Sequence, residues 1–496
     1  IVGLAGSCAN TGMAMAHWEL HAWIMVMLGW VFVPFYYRSG VYTMPEFLEK
    51  RFNATARAIL SAISLLAYVL TKVSVTIYAG ALVFQVLLPD TFGSPENAFW
   101  VGAFSTVILT GFYTIFGGMR AVLYTDAMQA FILLGGAIFI TYFGLSQLGG
   151  YSELKAIIGQ DADKFALWRP LSDPEFPWLG VMIASPIIGI WYWCTDQYIV
   201  QRTLSARNMA TARRGALFGG FMKVWPVLIF LVPGMIGYAL HQKGVIQIPL
   251  DASGEIMGDQ VFPTMVANLL PTGLRGLVVG GLLAALMSSL SSLFNSCASL
   301  FTIDFYEKFR PGRSQKEYVR VGRYATAVVV GLGMLWIPVM KLVASGGLYQ
   351  YLQSVQGYLA PPITAVFLLG LFWQRINSQG AVAGMAFGFL IGLSKLTIQT
   401  FFGADKISSS PILAFIGDYS FLYASGWLFL ISLITIISIS LLTPPPRADQ
   451  IDGLTYASIT KDGGKLHEDV TWFDISLTIV VLGLVLGMYL FFSFWI

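Results

Sequence analysis

Two charged side chains stand in the middle of long apolar stretches of this chain. Glu19 lies in AMAHWEL and Lys223 in GGFMKVWPV, and neither has an opposite charge close by in the sequence. If these stretches cross a membrane, a charge at their centre costs at least about 2.5 kcal/mol. A carboxylate and an ammonium can pair with each other, or they can hydrogen-bond the hydroxyls of a polar solute. We favour a polar cavity that holds such a solute, with a mutual ion pair as the alternative.

Aromatic residues gather in a second segment that suits the same cavity. The stretch PIIGIWYWCTDQYIVQR (186–202) contains Trp191, Tyr192 and Trp193. An aromatic face can stack on the apolar C–H face of a sugar ring, whereas an aromatic belt at the membrane interface is the alternative. Pro186 and Gly189 can loosen the helix at this point.

Amides and hydroxyls supply further polar groups inside apolar runs. Gln350, Gln353 and Gln356 need a wet or mutually bonded site, because unsatisfied amides are costly in an apolar environment. Serines along one helix, together with freed carbonyls, offer hard oxygen ligands to a small monovalent cation, although small residues also allow close helix packing. These serines are Ser288, Ser289, Ser291, Ser292 and Ser296, and Asp126 can supply a counter-charge.

Three more charges within apolar segments have structural interpretations. Lys72 is expected to bind a backbone carbonyl, and Asp196 is expected to pair with Arg202, further along the same segment. Lys395 lies near a helix end, from which its ammonium can reach the membrane interface.

The composition excludes a water-soluble protein. Of 496 residues, 56% are apolar and 11% are charged, whereas soluble domains carry about 25% charged residues. The net charge of +3 is too small and too scattered for nucleic-acid binding. The three cysteines and four histidines have no metal-binding spacing. We therefore expect a helical membrane protein with many spans. A membrane enzyme would need paired acidic residues near a metal, and the sequence shows no such arrangement, so we expect no bound cofactor and no enzymatic activity.

The spacing of apolar runs predicts about thirteen membrane crossings. Most of the 29 lysines and arginines fall on one side when the connections are alternated, and this side is then cytoplasmic. The polar stretch 444–471 belongs to that side and the C-terminus lies outside. Besides a starting half-helix, the predicted spans are 14–36, 57–88, 98–117, 121–146, 177–201, 211–240, 272–303, 323–345, 348–373, 378–400, 412–442 and 472–495.

Seven motifs, in this order, make the chain resemble the sodium/solute symporter family. Within that family it is similar to the branch of sodium/glucose and sodium/myo-inositol cotransporters. The resemblance covers essentially the whole chain, and WYWCTDQYIVQR is specific to the sugar branch. The motifs are VGLAGSCANTGMAMAHWE (2–19), SGVYTMPEFLEKRF (39–52), YTIFGGMRAVLYTD (113–126), WYWCTDQYIVQR (191–202), AALMSSLSSLFNS (284–296), GYLAPP (357–362) and RINSQGA (375–381).

The resemblance implies an all-α, LeuT-like fold of two inverted five-helix repeats with additional peripheral transmembrane helices. In such folds the substrate lies at the midplane, beside broken helices. The first half of the first core helix would precede Ile1. The implied units are the first repeat (1–146), an external loop (147–176), the second repeat (177–373), peripheral helices (374–443), a cytoplasmic loop (444–471) and a C-terminal helix (472–496).

The resemblance also assigns site residues. The sugar would contact Glu19, Tyr192, Trp193, Lys223 and Gln353, with the Tyr192 ring as the inner gate. Three apolar and aromatic residues would close the site from outside: Leu4, Trp18 and Tyr349. The main sodium site would use the carbonyl of Ala285 and the hydroxyls of Ser288 and Ser289. Members with a second sodium use positions matched here by Asp126, Ser291 and Ser292.

The function implied is symport of sodium and a hexose by alternating access. The alternative is a sodium/myo-inositol or other polyol symporter. A second alternative, from a different functional class, is a sugar-responsive sensor or channel on a transporter scaffold. A sodium-coupled carrier of an anion or amino acid would need an uncompensated positive charge in the cavity. The expected partners are a neutral sugar or polyol, sodium ions and the lipid bilayer of the plasma or inner membrane. The sequence leaves the oligomeric state open.

Overall fold

The structure is a computed structural model, and it is built from helices throughout its described part. It describes residues 2–41, 43–251, 254–343, 347–402, 407, 410–417, 419–461 and 469–496, without the side chains of residues 113, 115–127, 130, 342, 343, 412, 415 and 461. The helices are α1 Val2–Thr11, α2 Ala16–Glu19, α3 Ala22–Met27, α4 Val33–Ser39, α5 Met44–Arg51, α6 Ala54–Tyr68, α7 Ser74–Leu87, α8 Pro95–Leu148, α9 Tyr151–Ile158, α10 Ala162–Phe165, α11 Trp178–Ile190, α12 Gln197–Leu204, α13 Met209–Val224, α14 Val232–Gln242, α15 Val261–Leu269, α16 Thr272–Phe301, α17 Glu307–Phe309, α18 Gln315–Val343, α19 Leu348–Phe372, α20 Ser378–Phe401, α21 Pro411–Gly417, α22 Phe421–Leu442, α23 Tyr456–Lys461 and α24 Trp472–Ser493.

Eleven helical stretches of the described residues are long and apolar enough to cross a membrane. The all-α membrane fold expected from the composition is thereby confirmed. Among these stretches α19 is the most buried and α24 the least.

Two of the predicted span boundaries are wrong. Spans 98–117 and 121–146 fall within the single helix α8, in which Phe131–Leu148 is long enough to cross alone. The interval between the two predicted spans has no proline that would end a helix. The predicted span 412–442 is divided instead, because α21 ends at Gly417 and α22 begins at Phe421.

Short π-helical turns interrupt five of the long helices. They lie at Leu28–Phe32, Val69–Val73, Trp191–Thr195, Val227–Leu231 and Thr302–Tyr306. A π-turn adds a residue to the helical repeat and frees a backbone carbonyl, and such turns concentrate at functional sites. The turns at Val69–Val73 and Trp191–Thr195 carry Lys72 and Tyr192.

The break between α11 and α12 lies further along the chain than Pro186 and Gly189 suggest. Pro186 is inside α11, and the backbone leaves the helical conformation at Asp196, with ψ of 126°. The Asp196 carboxylate then caps α12 by accepting a hydrogen bond from the Tyr198 N–H. Gly189 serves close packing instead, because a Cβ there would come within 2.7 Å of the His21 ring. The predicted helix break is therefore present, but its position is set by the Asp196 cap and not by Pro186 or Gly189.

Candidate functional site: a carboxylate and an ammonium between the helices

Glu19 and Lys223, which are far apart in the sequence, meet inside the helix bundle. Lys223 Nζ donates a hydrogen bond to Glu19 Oε2 at 2.9 Å, and the side chains are only 10% and 11% exposed. The Tyr349 hydroxyl donates to the other oxygen, Glu19 Oε1, at 2.8 Å. These contacts join the ends of α2 and α13 to the first turn of α19. The ion pair considered as the alternative in the sequence therefore forms.

Aromatic rings line the same cluster. The Lys223 ammonium lies 4.8 Å from the centroid of the Trp193 ring, within the range of a cation–π interaction. Trp193 in turn meets Tyr192 edge to face, with centroids 4.9 Å apart. The Tyr192 ring is also 4.5 Å from the ammonium of Lys72. Tyr192 therefore stands between the Glu19–Lys223 pair and a second buried charge.

Gln353 extends the cluster along α19. It lies one helical turn after Tyr349, so both face the same side of the helix, and its amide interacts with the Tyr349 hydroxyl. Gln353 is 7% exposed, yet its Oε1 has no hydrogen-bond partner among the described residues. The same holds for Gln350 Oε1 and Gln356 Nε2. Buried amide atoms of this kind are costly unless a polar ligand or water binds them.

Of the three expected outer residues, Tyr349 contacts this cluster, and Leu4 and Trp18 have other surroundings. The start of α1 packs on α19, since a Cβ at Gly3 would lie 3.1 Å from the Tyr349 nitrogen. Leu4 is buried one residue further along. The Trp18 ring packs against Phe176 and Phe421, with centroids 6.3 and 6.4 Å away. Gly3, the neighbour of Leu4, thus contacts Tyr349, whereas the described ring contacts of Trp18 lie with Phe176, in the connection before α11, and with α22.

A second buried ion pair contradicts two expectations from the sequence. Lys72 pairs with the carboxylate of Asp196, not with a backbone carbonyl. Asp196 also accepts a hydrogen bond from the Tyr68 hydroxyl and does not pair with Arg202. Four rings surround the Lys72 ammonium within 4.5–5.4 Å of their centroids: Tyr68, Trp191, Tyr192 and Tyr198. Lys72 and Asp196 are 124 positions apart in the sequence, so their spacing could not predict that they pair.

Lys395 is also placed differently from the prediction. Its ammonium is buried and donates to the carbonyls of Ile416 and Tyr419, at 2.6 and 2.7 Å. The ammonium is bonded within the protein, because the end of α21 brings the Ile416 carbonyl to it. The role is structural, as expected, but the partners lie inside the protein.

The expected main sodium ligands share one face of α16. Ala285, Ser288 and Ser289 are spaced i, i+3 and i+4, which aligns them along the helix. Ser288 is buried, and Ala285 and Ser289 are half-buried.

The expected second sodium site has a different setting. The Ser291 hydroxyl donates to the Ser288 carbonyl at 2.9 Å. The Ser292 hydroxyl accepts a hydrogen bond from the Arg202 guanidinium. The side chain of Asp126 lies outside the described part of the chain. A cationic group therefore already contacts one of the three expected ligands.

Comparison with known sequences identifies relatives. The profile of the Sodium:solute symporter family matches residues 1–388. Sodium/glucose cotransporter 1 of Oryctolagus cuniculus is 39% identical over 473 residues, which cover 90% of this chain and 70% of that protein. The sodium/myo-inositol cotransporter of Canis lupus familiaris is 36% identical over 495 residues, which cover 92% of this chain and 67% of that protein.

Comparison with solved structures gives the fold. A Na⁺-coupled sialic acid symporter in a substrate-bound, outward-open state aligns with a TM-score of 0.69 and 22% identity, covering 90% of each chain. That symporter has the LeuT fold, so the LeuT-like fold expected from the sequence is confirmed.

Proposed function

The chain belongs to the sodium:solute symporter family, and we propose that it transports a neutral sugar together with sodium across a membrane. Its relatives include sodium/glucose and sodium/myo-inositol cotransporters. The observation that supports a sugar most directly is the cluster of Glu19, Lys223 and Tyr349, flanked by the rings of Trp193 and Tyr192.

The charge of this cluster favours a neutral solute. The Lys223 ammonium is neutralised by the Glu19 carboxylate at 2.9 Å, so an anionic substrate finds no uncompensated positive charge there. Carboxylate oxygens accept hydrogen bonds from sugar hydroxyls. The Oε1 of Gln353, which has no partner among the described residues, is a further acceptor. A hexose or a polyol fits this combination of acceptors, an ammonium donor and aromatic faces. The hexose is our first proposal, and myo-inositol or another polyol is the alternative.

In the proposed mechanism, sodium and sugar bind one another's preferred conformation. Sodium at Ala285, Ser288 and Ser289 stabilises the outward-open state and completes the sugar site. Leu4, Trp18 and Tyr349 then close the outer side, and movement of the Tyr192 ring opens the inner side. Such coupling is reciprocal, since each ligand must raise the affinity for the other.

The proposed topology follows the charge distribution. The side that carries most of the lysines and arginines is cytoplasmic, which places 444–471 inside and the C-terminus outside. Residues 1–146 and 177–373 form the two repeats, and 374–443 and 472–496 are peripheral. The protein resides in the plasma or inner membrane.

Uptake into proteoliposomes tests the proposal. The protein is reconstituted, and uptake of labelled glucose, galactose and myo-inositol is measured with an inward sodium gradient and, as the control, an equal potassium gradient. We expect accumulation of one hexose above its external concentration, with sodium only. Accumulation of myo-inositol alone supports the alternative. Sodium-independent equilibration, or binding without uptake, would contradict symport and favour a channel or a sensor.

A further inference from the structure

A cavity of about 800 Å³ lies between α16, α18 and the first half of α8, away from the sugar cluster. Its volume is in the range of small-molecule sites. One part is apolar and is lined by Val107, Phe294 and Val330. The other part is polar and charged, and is lined by Gln315, Arg323 and Glu307. The cavity is thus amphipathic along the axis of α18, with its charged end at the start of that helix.

Two buried polar atoms line this cavity without a partner. Thr302 is 8% exposed, and its Oγ1 has no hydrogen-bond partner among the described residues. The same is true of Asn295 Nδ2, two turns earlier on the same helix. A threonine in a helix commonly bonds a carbonyl of the preceding turn, but Thr302 opens the π-turn that follows α16. A hydroxyl and an amide N–H are therefore available between the apolar and charged parts.

A group of basic side chains continues the charged end. Lys316, Arg320 and Arg323 are exposed and share one face of α18 at positions i, i+4 and i+7. Among the described residues that line the cavity, Glu307 is the acidic one, so the group retains an excess of positive charge. Basic residues at the end of a membrane helix attract anionic lipid headgroups, at about 1 kcal/mol each.

We propose that this cavity binds one anionic phospholipid. The phosphate binds Lys316, Arg320 and Arg323, the ester groups meet Thr302 and Asn295, and one acyl chain fills the apolar part. The charge of the basic group selects an anionic headgroup, and the position between membrane helices supplies a lipid as the occupant. Because α16 also carries the proposed sodium ligands, bound lipid would fix a helix that the transport cycle uses.

Native mass spectrometry of the purified protein measures this binding. The probes are phosphatidylglycerol, phosphatidylcholine with the same acyl chains, and inorganic phosphate. We expect one tightly bound phosphatidylglycerol. The R320A/R323A double variant should bind it about 30-fold more weakly, which corresponds to about 1 kcal/mol per arginine. E307Q should bind it more tightly, because it removes the acidic group of the lining. R207A removes an exposed arginine elsewhere and is the matched control, with unchanged affinity.

A cavity-filling variant, S299F, should lose lipid binding while its melting temperature in lipid-free detergent stays near that of the parent. If S299F does not fold, the proposal is still tested by the opposite effects expected on lipid affinity, a loss in R320A/R323A and a gain in E307Q. Equal affinity for phosphatidylcholine would show a nonselective lipid contact and overturn the proposal. Competition by inorganic phosphate at the lipid's own affinity would indicate a free-anion site instead. A loss in R207A as large as in R320A/R323A would also overturn it.

Discussion

Glu19 bonds both Lys223 and Tyr349. Mutations can therefore separate its role in stability from its role in sugar transport. Replacing Lys223 alone leaves the carboxylate buried with only Tyr349, and breaking a buried pair costs about 3 kcal/mol. We expect E19Q and K223M each to reduce sodium-driven uptake at least tenfold and to lower the melting temperature. The double variant E19Q/K223M should regain stability, because no charge remains unpaired, but not uptake. The two measurements are sugar uptake and thermal unfolding in the same detergent.

The double variant is the decisive arm of that experiment. Recovery of uptake together with stability would mean that the pair is only architectural and that the sugar binds elsewhere. If the double variant loses uptake and does not regain stability, the two charges are needed for folding. This result would contradict our proposal that they act in sugar binding.

Asp259, in the connection before α15, gives stability a pH dependence. Its carboxyl group accepts a bifurcated hydrogen bond from the Leu348 N–H, at 3.0 and 3.2 Å, and so caps the start of α19. Burial nevertheless raises the pKa of Asp259 to about 7, from 3.8. The folded protein therefore keeps this proton up to about pH 7, whereas the unfolded chain loses it near pH 4. The contribution of Asp259 to stability should therefore be highest at low pH and fall by up to about 1.4 kcal/mol per pH unit as the pH rises to 7.

Thermal unfolding between pH 5 and 8 checks this dependence. D259N should flatten the curve over this range, since the amide cannot ionise. D90N changes an exposed aspartate in the connection before α8 and should leave the slope of the parent protein intact. An identical slope in D259N and the parent would rule out Asp259 as its source.

At the scale of elements, the Lys72–Asp196 pair connects the π-turn between α6 and α7 to the break before α12. The carboxylate caps α12 and accepts from Tyr68, while four rings enclose the ammonium. D196N keeps an acceptor for the Tyr198 N–H but leaves a buried ammonium without its counter-charge. We expect D196N to lower the unfolding free energy by about 3–5 kcal/mol, and K72M/D196N to restore most of it. Denaturation by heat measures both, and no recovery in the double variant would mean that the cap, not the ion pair, is what stabilises the break.

Close packing of α1 is a second property of the elements. A Cβ at Gly6 would lie 2.4 Å from the Gly258 carbonyl oxygen, so the two backbones are in direct contact. G6A should force them apart and destabilise the protein by roughly 1–3 kcal/mol. Gly276 in α16 is the control, because a Cβ there meets nothing within 4 Å and alanine favours the helix by up to about 1 kcal/mol. Similar melting temperatures for G6A and G276A would contradict this packing.

The sequence predicts helices and buried charges better than it predicts partners. Apolar length located the membrane helices, and the cost of a charge in an apolar run singled out Glu19 and Lys223. Their contact spans 204 positions, so only the fold can show it. The same limit explains why the partners predicted for Lys72 and Asp196 were wrong. Arg202 is close to Asp196 in the sequence, whereas Lys72 is close to it only in the folded structure. Proline and glycine mark where a helix can break, whereas a side-chain cap decides where it does.

For the whole molecule, the number of sodium ions sets the limit of accumulation. One sodium moving down about 100 mV gains about 2.3 kcal/mol, and a tenfold concentration ratio adds about 1.4 kcal/mol. The sum, about 3.7 kcal/mol, supports roughly 500-fold accumulation of sugar. A second sodium would square this limit. The Arg202 guanidinium bonds the Ser292 hydroxyl, and a cation beside an expected ligand opposes a second ion there.

We therefore predict transport of one sodium per sugar. The reversal potential of sugar-dependent current, measured at varied sodium and sugar gradients, gives the ratio directly. S289A should weaken sodium affinity first and sugar affinity only through coupling, whereas S291A should leave the sodium dependence unchanged with a Hill coefficient near 1. A ratio of two that falls to one in S291A would mean that Arg202 leaves Ser292 during the cycle, because guanidinium and sodium cannot both occupy that hydroxyl at low energetic cost.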